Sequence, residues 1–130
     1  MKTIKISQIQ FEAKSTPIKN AELLNKYFEK TKKFNPNLIC TPECSNIITS
    51  DINYLRKNTT FENNCPIINM AKLYAKENKV NINIGSLLLK IKNKKKLVNR
   101  SYFINIKGKI IKTYDKIHMF DVNINKKETH

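Results

Sequence analysis

Residues Tyr114–Asp121 read YDKIHMFD, a polar and charged segment that directly follows an alternating, strand-like run. A second informative segment, ICTPEC at residues 39–44, places a lone carboxylate, Glu43, after a short apolar strand. Ligands of open α/β sheets gather at the carboxyl ends of strands, so charged side chains at such ends are candidates for chemistry. Glu43 and Lys116 both occupy such positions, and together they form the candidate site.

The pattern around these segments predicts one domain with the element order β-α-β-α-β-β-β. Strands are expected at residues 4–10, 38–40, 80–91, 97–106 and 110–114. Pro17 marks the start of a first helix that runs to residue 33, and a second helix is expected over residues 66–78. Ser50-Asp51 is a candidate cap for a further short helix. The inward face of the second long helix is predicted to comprise Ile67, Met70, Ala71, Leu73 and Tyr74.

The chain carries a formal net charge of +15, from 25 Lys and Arg residues against 10 Asp and Glu. Only Arg56 and Arg100 are arginines, whereas proteins that read bases and phosphates rely largely on arginine. The lysines are scattered, and their densest run, at residues 92–96, is typical of a solvated turn between two strands. We therefore expect no nucleic-acid partner and an even spread of lysines over the surface.

Hydrophobic residues make up 40% of the 130 residues, which is typical of a globular chain with a modest core. No apolar run approaches the roughly 20 residues that a membrane-spanning helix needs. The first eight residues alternate polar and apolar side chains and do not resemble a secretory signal. These features predict a cytoplasmic protein without a membrane partner.

The three cysteines are Cys40, Cys44 and Cys65, an odd number that favours reduced thiols. Cys40 and Cys44 are poorly spaced for a zinc site, and only His118 and His130 could complete one. Cys40 lies within a predicted apolar strand and is interpreted as a small core residue. The sequence therefore predicts no bound metal at the cysteines.

Each candidate residue has a plain structural interpretation beside the functional one. Glu43 at a strand end is either a partly desolvated base or an ordinary loop carboxylate that caps a turn. Lys116 is either a stabiliser of a developing oxyanion or one more solvated lysine. His118 shares the face of Lys116 in an extended segment, where a structural hydrogen bond is its expected role.

Four segments follow one family pattern. The first strand, with Ile6 and Gln8, is similar to an opening I-x-Q strand, and TPE at residues 41–43 is similar to a strand ending in Pro-Glu. Asn99–Gly108 matches a hairpin with Asn and Gly nine residues apart, and YDKIHMFD is similar to Y-x-K-x-H-L-F-D. The chain thus resembles the nitrilase superfamily, the carbon–nitrogen hydrolases, and especially bacterial amidases related to deaminated-glutathione amidase and omega-amidase. Thr41 and Met119 depart from this pattern, since Leu is common at both positions.

The resemblance implies an α/β fold, the N-terminal half of a nitrilase-type α-β-β-α sandwich. Residues 1–130 would be the N-terminal part of a single domain, with a mixed sheet that carries helices on one face. Family members usually form dimers, so a homodimer is implied for the full-length protein. A small-molecule amide is the implied substrate, and no metal or organic cofactor is implied.

By the same resemblance, Glu43 is the general base and Lys116 the oxyanion-stabilising lysine of a Glu-Lys-Cys triad. The family's nucleophilic cysteine lies in a separate motif some tens of residues beyond the lysine, and none of the three cysteines has that motif. A second glutamate usually follows the lysine, and Glu128 lies near that point in a different context. The implied reaction converts a small linear carboxamide to a carboxylate and ammonia through a thioester.

Two other interpretations remain open at the level of sequence, a non-catalytic basic binding module and a truncated relic without activity. The positions of Glu43 and Lys116 in the folded chain test the catalytic interpretation. The catalytic assignment predicts that Glu43 and Lys116 lie at the same end of one mixed sheet, on neighbouring strands, with side chains within ion-pair or one-water range. Placement at opposite ends of the sheet would contradict it.

Overall fold

The computed structural model describes residues 3–94 and 96–118 of the chain. The helices in these ranges are Pro17–Thr31 (α1), Ile52–Asn58 (α2) and Pro66–Asn78 (α3). The strands in these ranges are Ile6–Gln8 (β1), Leu38–Thr41 (β2), Asn81–Lys90 (β3), Leu97–Ile104 (β4) and Ile110–Asp115 (β5). Short 3₁₀ turns follow α1 at Lys32–Phe34 and precede α3 at Glu62–Asn64.

The strands form one sheet in the order β1-β2-β3-β4-β5. β1, β2 and β3 are parallel, whereas β4 and β5 continue the sheet as antiparallel neighbours. Both parallel connections move in the same direction across the sheet, and such crossovers are right-handed, so α1 and α3 pack on the same face. The predicted mixed sheet with its two long helices on one face is therefore confirmed.

The two long helices meet each other above the sheet. The Phe28 and Tyr74 rings lie 5.1 Å apart, and the Tyr74 hydroxyl donates a 2.7 Å hydrogen bond to the carbonyl oxygen of Phe28. The core between helices and sheet is apolar and closely packed, because each amphipathic helix buries its apolar face against the sheet. Its fully buried side chains include Leu24, Phe28, Ile39, Ile67, Ile82, Ile84 and Ile104.

Local signals explain where the helices begin and end. Pro17 and Pro66 occupy first-turn positions, where the missing N–H costs no helical hydrogen bond. Asp51 caps α2 by accepting hydrogen bonds from two backbone N–H groups, which confirms the predicted short helix. Lys79 ends α3 in a left-handed conformation with φ of 52°.

Two details of the sequence prediction are wrong. Leu73 was assigned to the inward face of α3, but it is 58% exposed, because the buried stripe of that helix runs through Ile67, Ala71 and Tyr74. β1 covers only three residues, so Ile4 lies outside the strand and is 70% exposed.

The β4–β5 hairpin is held against α3 by its turn. Gly108 has a positive φ of 71°, and a side chain there would collide with the Lys72 carbonyl oxygen on α3. The Asn105 side chain accepts hydrogen bonds from the N–H groups of Lys107 and Lys109, which stabilises the turn. This contact positions β5, the strand that leads to Lys116.

The densest run of lysines lies at the surface. Lys92, Lys94 and Lys96 are exposed at the β3–β4 turn, as predicted. Within residues 3–94 and 96–118, none of the helices combines the length and the apolar character that crossing a membrane requires.

Candidate active site

Glu43 lies in a loop that leaves β2 and bends over the next strand. Pro42 has no N–H to continue the β ladder, and its carbonyl oxygen accepts a 3.0 Å hydrogen bond from the Ser86 N–H of β3. The Ser45 N–H then donates to the Ser86 carbonyl oxygen at 2.9 Å. Cys44, between them, takes a left-handed conformation with φ of 52°. The loop therefore carries Glu43 sideways across β3 toward β4.

A bulge in β3 makes room for this loop. The register of β3 against β4 shifts between Ile84 and Leu87, at the Gly85-Ser86 step. A Cβ on Gly85 would lie 2.8 Å from the Thr41 carbonyl oxygen, closer than side-chain carbons approach backbone oxygen. Glycine at this position thus permits the close approach of β2 to the bulge.

Buried polar side chains fasten the far end of the loop. Asn46 is fully buried and pairs with Leu88 of β3 as a strand residue would, accepting from its N–H at 2.9 Å and donating to its carbonyl oxygen at 2.7 Å. Asn20 of α1 donates to the Asn46 carbonyl oxygen at 2.8 Å. The Ser45 hydroxyl donates to the Pro42 carbonyl oxygen at 2.6 Å. Glu43 therefore lies on a loop that hydrogen bonds to β3 and α1 hold in place.

Lys116 approaches Glu43 from the other side of β4. Its N–H donates a 2.8 Å hydrogen bond to the Asn99 carbonyl oxygen, which extends the β4–β5 ladder by one residue. Its ammonium lies 2.7 Å from Glu43 Oε1, and the exposed side-chain fractions are 37% for Lys116 and 55% for Glu43. The two residues thus form an ion pair at the carboxyl ends of β2 and β5, open to solvent in this structure.

The predicted same-end placement and ion-pair contact are confirmed, but the expectation of neighbouring strands is wrong. β3 and β4 lie between β2 and β5 in the sheet. The contact exists because the loop after β2 spans β3 at the Gly85-Ser86 bulge, a non-local arrangement that strand order does not reveal.

Asn99 of β4 lies between the two charged groups. Its side chain is buried, and Nδ2 donates a 2.9 Å hydrogen bond to Glu43 Oε1 and lies 3.9 Å from Cys44 Sγ. Its Oδ1 is buried without a hydrogen-bond partner among the described residues. Sequence reasoning used Asn99 only as the first residue of the Asn–Gly hairpin pattern and assigned it no role in the site, so that pattern was the available signal.

These contacts govern the protonation of the site. The Lys116 hydrogen bond, followed by that from Asn99, holds the pKa of Glu43 below its ordinary value of 4.5, and the slight burial only partly opposes them. The Glu43 hydrogen bond in turn raises the pKa of Lys116. Burial, followed by the Glu43 charge, raises the pKa of the Cys44 thiol to about 11. At neutral pH the site contains a carboxylate, an ammonium and a protonated thiol.

A second ionic cluster supports the strand end that leads to Lys116. Arg100 donates to both carboxylate oxygens of Asp115, at 2.5 and 2.9 Å, and to Glu62 at 3.0 Å. Glu62 also accepts a 2.7 Å hydrogen bond from the hydroxyl of Tyr102, which is buried. The Arg100 guanidinium holds the pKa of Asp115 below its ordinary value. Because successive strand residues alternate, Arg100 and Asn99 point to opposite faces of β4.

The remaining candidates are placed as follows. Cys65 is fully buried at the start of α3, and Cys40 lies half-buried in β2 with a pKa raised by burial. His118 is exposed. Met119–Asp121 of the YDKIHMFD segment, Glu128 and His130 lie outside the described residues. Within the described ranges, no group of three His, Cys, Asp or Glu residues could hold a metal ion.

Known proteins resemble this chain in sequence and in fold. The carbon–nitrogen hydrolase family model matches residues 5–130. The chain is 26% identical over 123 residues to nitrilase homolog 2 of Dictyostelium discoideum. The aligned region covers 95% of this chain and 37% of that protein. The chain therefore spans about a third of the length of this curated relative.

Solved structures share the fold. The NitFhit protein of C. elegans superposes with a TM-score of 0.80 at 20% identity, over 95% of this chain and 30% of that one. An amidase from Nesterenkonia sp. superposes with a TM-score of 0.75 at 14% identity, over 92% of this chain and 44% of that one. At these identities the similarity demonstrates the architecture only.

Proposed function

This chain belongs to the carbon–nitrogen hydrolase family, and we propose that it is the N-terminal part of an amidase-type hydrolase domain whose base is Glu43 and whose oxyanion-stabilising residue is Lys116. The observation that carries the proposal is the 2.7 Å contact between Lys116 Nζ and Glu43 Oε1 at the carboxyl edge of the sheet. Two residues that are 73 positions apart are brought together where α/β sheets bind ligands.

Glu43 suits the role of a general base. Hydrogen bonds from Lys116 and Asn99 keep its carboxylate ionised at neutral pH, so it is ready to accept a proton. The Lys116 hydrogen bond is the largest of the effects that lower this pKa. When the ammonium turns toward a developing oxyanion, Glu43 loses that hydrogen bond and becomes more basic at the moment of proton transfer.

Lys116 suits the role of oxyanion stabiliser. An ammonium group has three N–H donors, and Glu43 Oε1 accepts one of them. The ammonium can turn its donors toward the oxygen of a tetrahedral intermediate, and it then releases its hydrogen bond to Glu43. A charge held beside the reacting carbonyl stabilises the negative charge that develops there.

The proposed substrate is a small linear carboxamide, and the products are a carboxylate and ammonia. A cysteine thiol loses its proton to Glu43 and its sulfur bonds to the carboxamide carbon, and the carbonyl oxygen becomes an oxyanion beside Lys116. Collapse of this intermediate breaks the C–N bond, and the proton on Glu43 leaves with ammonia. Water then gives a proton to Glu43 and its oxygen to the thioester carbon, the C–S bond breaks, and the sulfur recovers the proton.

The proposed nucleophile is a cysteine from the part of the family fold that these 130 residues do not include. Cys65 is fully buried and Cys40 lies within β2. Cys44 adjoins Glu43, but its pKa of about 11 disfavours the thiolate. We extend the proposal to a homodimer for the full-length protein.

The test supplies the remainder of a family member's fold, fused to this chain or added in trans, and measures ammonia release from small ω-carboxamides. We expect turnover that falls by several orders of magnitude with Glu43→Gln or Lys116→Ala, whereas Cys44→Ser should retain it. Robust, Glu43-dependent amidase activity from the 130 residues alone, lost with Cys44→Ser, would contradict the assignment of the nucleophile.

A further inference from the structure

We propose that Asn99 is a positioning residue of the candidate site, which assigns Glu43 Oε1 to positioning and leaves Oε2 for proton transfer. The inference rests on the proposed function, because positioning has a consequence for the reaction only if Glu43 is the base. Asn99 would act in the reaction through the carboxylate of Glu43, to which it donates a hydrogen bond.

The orientation of the Asn99 side-chain amide follows from its contact with a carboxylate. An ionised carboxylate only accepts hydrogen bonds, so the group 2.9 Å from Glu43 Oε1 must be the NH₂ of Asn99. Its Oδ1 then points into a buried environment where it has no partner among the described residues. A buried polar atom without a partner is unfavourable for folding, so a side chain serving stability alone would avoid this arrangement.

Both donors bind the same oxygen. Lys116 Nζ lies 2.7 Å and Asn99 Nδ2 2.9 Å from Oε1, whereas no hydrogen bond to Oε2 occurs in the ranges that the structure describes. The carboxylate is thus held through one oxygen, and the other has no competing donor among the described residues. A base needs such an oxygen, because a lone pair already engaged by a donor accepts a proton less readily.

Asn99 also links the two charged residues through its backbone. Its carbonyl oxygen accepts the Lys116 N–H at 2.8 Å, and its register partner on β3 is Leu88. Leu88 is the residue that Asn46 pairs with, at the end of the loop that carries Glu43. One strand position therefore joins the Lys116 backbone, the Glu43 carboxylate and the anchor of the Glu43 loop.

The Asn99 side chain is neutral, so a negative charge that develops on the substrate attracts it far less than it attracts the Lys116 ammonium. When Lys116 turns to an oxyanion, the neutral Asn99 amide keeps its hydrogen bond to Oε1, so the carboxylate stays oriented. The other titratable groups around Glu43 are Lys116 and the Cys44 thiol, and Cys44 Sγ lies 3.9 Å from the same Asn99 nitrogen.

The experiment is an NMR titration of the 130-residue chain without substrate. The side-chain NH₂ resonances of Asn99 should shift with the same midpoint as the Glu43 carboxyl carbon. Those of buried Asn20, whose side chain forms hydrogen bonds with the backbones of Lys14 and Asn46, should not change with pH. Asn99→Leu should raise the Glu43 midpoint because a donor is lost. Asn20 and Asn99 resonances that respond alike, or a Glu43 midpoint unchanged by Asn99→Leu, would overturn the inference.

Asn99→Asp is a second variant of the same shape. It places two carboxyl groups at hydrogen-bond distance, and we expect them to share one proton, so that the titration midpoint of one group is raised and that of the other is lowered. Two independent carboxyl titrations at ordinary midpoints would refute the contact. If the Asn99 resonances titrate with Glu43 but the assembled hydrolase is inactive, the proposed function fails and the positioning role of Asn99 stands. If the hydrolase shows Glu43-dependent amidase activity but the Asn99 resonances do not change with pH, the positioning role fails and the proposed function stands.

Discussion

Arg100 and Asp115 face each other across β4 and β5, and the guanidinium binds both carboxylate oxygens, at 2.5 and 2.9 Å. Such a bidentate pair is geometrically specific as well as stabilising. Asp115 is the last residue of β5, and Lys116 follows it directly. The pair therefore restrains the strand end from which Lys116 reaches Glu43, on the face of β4 opposite to Asn99.

We expect Arg100→Leu to lower the free energy of unfolding by about 1–3 kcal/mol, because it leaves Glu62 and Asp115 without their charged partner. The control is Arg56→Leu, at the other arginine, which is exposed on α2 and should change stability by less than about 0.5 kcal/mol. Urea denaturation followed by circular dichroism measures both. Equal effects of the two substitutions would contradict a structural role for the Arg100 cluster.

The Glu43–Lys116 ion pair predicts a defined pH dependence. The folded pKa of Glu43 is lowered, so its stabilising effect is present above the unfolded value of 4.5 and is lost as the pH falls through the folded pKa. The folded pKa of Lys116 is raised, so its effect is present below 10.5 and is lost as the pH rises through the folded value. Both side chains are solvent-accessible, so the effect is small.

The measurement is the difference in unfolding free energy between the chain and its Glu43→Gln variant as a function of pH. We expect a plateau from about pH 6 to pH 9 that declines toward acid. Lys116→Met should produce the same profile, since either change removes the pair. A difference that grows as the pH falls below 4 would be inconsistent with this ion pair.

Cys44 should react slowly with alkylating reagents. With a pKa of about 11 against an ordinary 9.0, its thiolate fraction near pH 8 is roughly a hundredfold below that of a free cysteine. Iodoacetamide labelling, quantified for each cysteine by mass spectrometry, should therefore be much slower than for a model peptide. Glu43→Gln should accelerate it, because the carboxylate charge contributes to the raised pKa. Labelling of Cys44 faster than the peptide at pH 7 would make it a nucleophile candidate.

The net charge of +15 should produce only weak, non-specific DNA binding. The described lysines lie on helices, turns and strands instead of concentrating in one element, which fits the expected even spread. We expect duplex DNA affinities no tighter than about 10⁻⁶ M at physiological salt, without sequence preference and falling steeply with added salt. Fluorescence anisotropy with two unrelated duplexes tests this, and tight binding to only one of them would favour a basic binding module.

Short-range patterns were sufficient for most of the architecture. Pro17 and Pro66 mark helix starts because a residue without an N–H suits only the first turn, and α3 spans the predicted 66–78. Alternating apolar residues marked the strands, and the charged residues after two of them, Glu43 and Lys116, marked the site. These features depend on neighbours in the chain, which is why they can be read without coordinates.

The arrangement inside the site depends on contacts between distant residues. Glu43 reaches Lys116 across two intervening strands because Gly85 allows the loop after β2 to lie over the β3 bulge. Asn99 is buried against Glu43 through the β3–β4 register, which no local pattern specifies. Hydrogen bonds over separations of 42 to 73 residues form only once the sheet has assembled, so tertiary structure alone selects the partners of each charged group.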